Sequence, residues 1–244
     1  MKVLAKKAVL GFTLIEIIVV IVLLGVLSTA ISSFIKFGTQ IYSETTGKAQ
    51  LVSSARFAIE RLNREVRGSL PNSLRLTDSD QCIEFAPILE STTYTDIPVA
   101  PEPTTNIIKV IRFDETFDSN WSAVVYPLNP SDVYGNSKIH AVDAIDTTGD
   151  EWQITLENSV VFAEDSPTQR VYFIDVDGIT KYCVQNNALF RNGVLMAQDI
   201  YNSSPFEILP ATLRRNAMVQ INLRFEKYNE QITFNNEIQV INVP

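Results

Sequence analysis

Residues 12–35 form one apolar run of 24 positions interrupted by a single charge, Glu16. At about 1.5 Å per residue, a helix of that length crosses the hydrocarbon core of a bilayer. Beyond the run the pattern becomes amphipathic. Ala55, Ile59, Leu62 and Val66 recur at helical spacing, and Arg56, Glu60, Arg61, Arg64, Glu65 and Arg67 fill the other faces. Glu60 and Arg64 stand in the favourable i,i+4 order for an ion pair. Gly68 and Pro71 supply a stop signal. The spacing therefore predicts a helix from Phe12 to about Arg67. Gly25, Gly38 and Gly47 weaken its middle, and a bend or melted stretch is expected between Gly25 and Gly47.

After Pro71 the helical period disappears. Short β-prone runs take over at residues 82–85, 107–113, 122–125, 152–156, 160–162, 171–174 and 179–184. The clearest pattern comes last. Val219, Ile221, Leu223 and Phe225 alternate with polar neighbours, Tyr228-Asn229-Glu230 turns, and Ile232, Phe234, Ile238 and Val240 alternate on the return. Residues 92–105, with Pro98, Pro101 and Pro103, and residues 129–137, with Pro130 and Gly135, read as loops. No composition shift and no internal repeat is seen to divide this part. The fold class expected is α+β: a long N-terminal helix, membrane-spanning in its first half, packed on one β-rich head over residues 69–244.

Charge adds an orientation. The net charge is −8, an acidic balance that argues against general nucleic-acid binding because phosphate would be repelled. Lys2, Lys6 and Lys7 are the only charges before Gly11. Lysines on the leading side of a membrane helix keep that side cytoplasmic and put the head across the inner membrane. Cys82 and Cys183 are the two cysteines. An even pair fits either one disulfide in an oxidising compartment or two buried thiols. Export of the head favours the disulfide, which would tie the first strand of the head to its middle.

Candidate chemistry is sparse. The single histidine, His140, excludes two-histidine metal motifs and sits in an alternating stretch that suggests a half-exposed strand residue. No nucleophile elbow, phosphate loop or dinucleotide fingerprint occurs. Asp175-Val176-Asp177-Gly178 opens like a calcium loop but lacks the later ligands, so a turn is expected. Asp143, Asp146 and Asp150 read as a solvated loop, and Tyr42 and Phe57 as packing residues of the helix. No catalytic residue, metal site or cofactor is expected.

Glu16 separates three interpretations of the apolar run. A secretory signal peptide, with Ser28-Thr29-Ala30 as its cleavage site, and a plain signal anchor both leave Glu16 unexplained. A charge there costs about 2.5–3.5 kcal/mol on insertion scales. A chain cut between Gly11 and Phe12 explains it, because the new amine of a neighbouring subunit's Phe12 offsets the buried carboxylate. The sequence Gly11-Phe12-Thr13-Leu14-Ile15-Glu16 resembles the prepilin signature of type IV pilins and type II secretion pseudopilins, and Gly25 falls where these proteins usually have a glycine. The resemblance implies that prepilin peptidase cuts after Gly11 and methylates Phe12, and that Glu16 aligns subunits during assembly.

Residues 37–42, 51–67, 70–74, 82–85, 96–99 and 171–183 further resemble minor pilins of the mannose-sensitive haemagglutinin (MSHA) pilus. That implies a leader over residues 1–11, a transmembrane and assembly helix over 12–35, its periplasmic half over 36–68, and a periplasmic head. It also implies a low-abundance subunit that primes assembly near the tip. The partners would be the major pilin, other minor pilins, the inner-membrane assembly platform and membrane lipid. The two cysteines fit the family's periplasmic head. A minor pseudopilin of type II secretion is the alternative within the class. A signal-anchored periplasmic enzyme is the alternative outside it.

Overall fold

The computed structural model describes residues 11–114, 120–210, 217–227 and 230–240. The leader lysines and the turn at Tyr228-Asn229 lie outside the described residues. The chain divides into two compact units, Met1–Gln50 and Leu51–Pro244.

Helix α1 runs over Leu14–Arg67 and contributes to both units. Its start is fixed by the carbonyl of Thr13, which accepts from the amides of Glu16 and Ile17. The expected melted stretch is absent: α1 continues as helix through Gly25, Gly38 and Gly47 without interruption. Glycine costs only about 1 kcal/mol in a helix interior, and the neighbouring positions here are helix-compatible. In the first unit the described side chains are almost all exposed. The hydroxyls of Ser28, Thr29 and Ser33 donate to carbonyls of the preceding turn, at Leu24, Val26 and Thr29. Such back-bonding satisfies them without water.

In the second unit the expected stripe is buried. Leu51, Ala55, Ala58, Ile59, Leu62 and Val66 point inward. The strands that follow are β1 (Arg75–Thr77), β2 (Cys82–Phe85), β3 (Glu90–Asp96), β4 (Thr105–Val110) and β5 (Trp121–Val125). Helix α2 (Pro130–Tyr134) intervenes, and then come β6 (Ile139–Asp146), β7 (Trp152–Val160), β8 (Arg170–Asp175), β9 (Thr180–Gln185) and β10 (Ala188–Arg191). The last are β11 (Val194–Gln198), β12 (Phe206–Leu209), β13 (Met218–Lys227) and β14 (Glu230–Gln239).

Three sheet systems result. One sheet has the order β1-β2-β9-β10-β11 and a second the order β12-β13-β14. Their inner faces share one core with the buried stripe of α1, including Ile83, Phe85, Tyr182, Val219, Leu223 and Phe225. The inward residues of β13 are those the alternation picked out. The third system is a closed barrel, β3-β4-β7-β6-β5-β8. It has a separate core that includes Ile108, Trp121, Ile154, Leu156 and Phe173. A smaller cluster of Leu70, Ala86, Val124, Val133, Tyr172 and Ile174 forms a third.

The barrel lies entirely between β2 and β9 in sequence, yet β2 and β9 are hydrogen-bonded antiparallel neighbours. It is therefore an insertion into the sheet that carries the helix. The sequence does contain a composition shift there, which corrects the expectation above. Residues 86–179 hold sixteen acidic and four basic side chains.

Other expectations change as well. Residues 92–96 belong to β3 rather than to a loop, because Thr92 and Thr93 pair with β8 and Tyr94 and Asp96 with β4 in the barrel wall. Within residues 129–137, α2 forms behind an Asn129 cap, with Asp132 completing a capping box. The runs 152–156 and 160–162 merge into β7, with Phe162 just beyond it. Tyr42 and Phe57 do not pack: they are 73% and 59% exposed. Among the described residues Arg61 pairs with Glu65, at 2.9 Å, and the expected Glu60–Arg64 pair is not formed. Glu65 faces the sheet, where a second arginine holds it, whereas Glu60 faces outward.

Candidate processing and assembly site

Gly11 and Phe12 precede the first turn of α1, and both are exposed. A Cβ added at Gly11 would meet nothing within 4 Å. The fold thus gives no steric reason for glycine at this position. Glu16 lies in the first turn, where a carboxylate is favoured by the helix dipole. It is exposed, and among the described residues it has no ion-pair partner. The surrounding helix is long and apolar enough to cross a membrane.

Residues 6–32 match the family model described as the prokaryotic N-terminal methylation motif. The match supports a type IV pilin- or pseudopilin-like protein whose apolar helix fits a membrane anchor. The motif implies processing by prepilin peptidase and assembly with other pilins. No curated protein and no solved structure matches the chain.

Cys82 and Cys183 sit directly opposite each other on β2 and β9. They are joined by a disulfide with their Cα atoms 4.1 Å apart. The bond ties the second strand of the head, not the first, to its middle. It also spans the two strands between which the barrel is inserted. An Asp78 carboxylate oxygen and the two sulfurs lie within 4.8 Å of one another, but bonded sulfurs are not thiolate ligands.

Sequence reasoning missed a polar cluster between α1 and the sheet. Glu65 accepts from Arg61 Nε at 2.9 Å, Arg191 Nε at 2.8 Å and the Tyr182 hydroxyl at 2.9 Å. Burial alone would raise the Glu65 pKa, but the three donors outweigh it and hold the carboxyl below its usual value. The fully buried Tyr182 is pushed up, by burial first and by Glu65 second. Only the packing of the β9–β10 hairpin against α1 brings Arg191 here, so no local signal reveals it.

The remaining candidates are dispersed. His140 on β6 packs edge-on against Phe162, and burial lowers its pKa. Asp146 accepts from the amide and hydroxyl of Thr148, which lowers its pKa. Asp150 pairs with Arg112 at 2.9 Å. Asp175 accepts from the Asp177 amide in the turn between β8 and β9, as expected of a turn.

Proposed function

We propose that the chain is a minor type IV pilin that helps to initiate an MSHA-type pilus and sits near its tip. Residues 1–11 are the leader, cut after Gly11, and Phe12 becomes the methylated N-terminus. Residues 12–35 anchor the subunit in the inner membrane in a single pass and later pack into the filament. Residues 36–68 and the head at 69–244 stand in the periplasm until assembly carries them to the cell surface. The protein acts by binding the major pilin, other minor pilins and the assembly platform, not by catalysis.

One observation carries this function. Glu16 is a lone carboxylate in an apolar helix of membrane length, without an ion-pair partner among the described residues, five residues past a glycine that the fold does not need. A new amine at Phe12 of an adjacent subunit supplies the missing charge. The MSHA assignment rests on the stretches quoted above, which extend from the helix into the head.

The test is N-terminal analysis of the protein recovered from cell envelopes, together with Glu16→Ala. A methylated Phe12 is expected, and Glu16→Ala should be cut normally yet fail to enter filaments. A start at Ile31 would mean signal peptidase. Normal incorporation of Glu16→Ala would refute the pairing. Recovery with sheared surface pili separates the pilus subunit from a periplasmic pseudopilin. Activity that survives Gly11 replacement would favour the anchored enzyme.

A further inference from the structure

The outward face of α1 in the second unit is chemically distinct from the rest of the head. Arg56, Phe57, Glu60, Arg64 and Arg67 are exposed. At 3.6 residues per turn they fall within an arc of about 100°, opposite the buried stripe, along roughly 20 Å of helix. Phe57 is 59% exposed at one edge of this face, towards its N-terminal end. Among the described residues Arg56, Arg64 and Arg67 have no carboxylate partner, unlike Arg61.

The opposite charge is concentrated elsewhere. After Arg67 the chain holds eleven basic and twenty-four acidic side chains. Most of that excess lies in the inserted barrel, with its sixteen acidic and four basic residues over 86–179. Its most one-sided part is the β6–β7 hairpin, where Asp143, Asp146, Asp150, Glu151 and Glu157 are exposed and no lysine or arginine occurs. Two such barrels repel each other when they meet face to face. A head-to-tail approach instead sets the arginine face of one copy on the barrel of the next.

We propose that the Arg56-Phe57-Arg64-Arg67 face of α1 docks on the acidic inserted barrel of a second copy of this chain. Because the two surfaces differ, the contact between the two copies is heterologous. The phenyl ring packs at one edge of the contact, and the guanidinium groups beside it find carboxylates. This rests on the pilin reading and adds to it that adjacent copies meet in the assembly.

The experiment places a photo-crosslinking phenylalanine analogue at position 57 of the full chain, purified from envelopes into neutral-lipid nanodiscs that hold several copies. A copy-to-copy cross-link mapping to residues 139–160 is expected, at least tenfold weaker in 0.5 M salt because screening shortens charge attraction. The reversal Arg56→Glu/Arg64→Glu/Arg67→Glu should abolish it, as should Asp143→Lys/Asp146→Lys/Glu151→Lys. Mixing copies that carry the two reversals should restore it. These positions are exposed, and an intact Cys82–Cys183 bond checks folding in every variant.

Failure of the mixed pair to restore the cross-link would overturn the proposal. So would a cross-link only to lipid when anionic nanodiscs are used, or one only to a different pilin in cells. Leader cleavage is scored separately in the same cells. An uncut wild type defeats the pilin reading, whereas a cut wild type without the contact defeats only this inference.

Discussion

Replacing Glu65 tests what joins α1 to the sheet. Its carboxylate accepts three hydrogen bonds, from Arg61, Arg191 and Tyr182. The Arg61 pair is an i,i+4 pair at the helix surface and contributes about 0.3–0.5 kcal/mol. Arg191 is better shielded, with 26% of its side chain exposed against 19% for Glu65, and a hydrogen bond between charged groups there contributes about 1.5 kcal/mol. Tyr182 is fully buried, so loss of its acceptor leaves a hydroxyl unsatisfied at a cost of about 1–3 kcal/mol. Removing the carboxylate also removes its own desolvation cost. The net expectation for Glu65→Ala is a loss of about 2–3 kcal/mol. Glu65→Gln keeps an acceptor for Tyr182 and should lose about 1 kcal/mol.

The pH dependence gives the sign. The folded pKa of Glu65 lies below its ordinary value of 4.5. Its stabilisation is therefore fully present above the unfolded value and is lost as pH falls through the folded one. Urea unfolding of the full chain in detergent, followed by tryptophan fluorescence, measures each variant at neutral pH and across the acid range. The wild type should converge towards Glu65→Ala as pH falls from the ordinary glutamate value through the lower folded one. Equal losses for Ala and Gln, or a gap that does not narrow in acid, would refute the reasoning.

Two further predictions concern the head. Reducing Cys82–Cys183, or replacing both residues with serine, should destabilise it by up to about 4–5 kcal/mol, the chain-entropy value for a loop of this size. An unchanged urea midpoint with and without reductant would contradict this. Leu62, fully buried under the sheet, should cost about 2–5 kcal/mol on substitution by alanine, read as a shift of the same midpoint.

Much of the protein is legible in its residues because the signals are local. The apolar run, its single acid and the glycine before it need no tertiary knowledge, and the buried face of α1 follows from spacing alone. Alternation likewise exposes the inward residues of β13. One local signal went unused: Asn192-Gly193, both with positive φ, joins β10 to β11 as a two-residue hairpin turn. The charge imbalance over residues 86–179 was likewise present in the composition.

Other features exist only through long-range pairing. Strands β2 and β9 are neighbours although a whole barrel lies between them, and this adjacency brings Cys82 to Cys183. Packing of the β9–β10 hairpin against α1 carries Arg191 to Glu65 across a sequence separation of 126. Periodicity reports which face of an element is apolar. It does not report which distant element covers that face, nor which charges are left facing outward without a partner. The arginine face of α1 became visible only once the sheets had covered the opposite side.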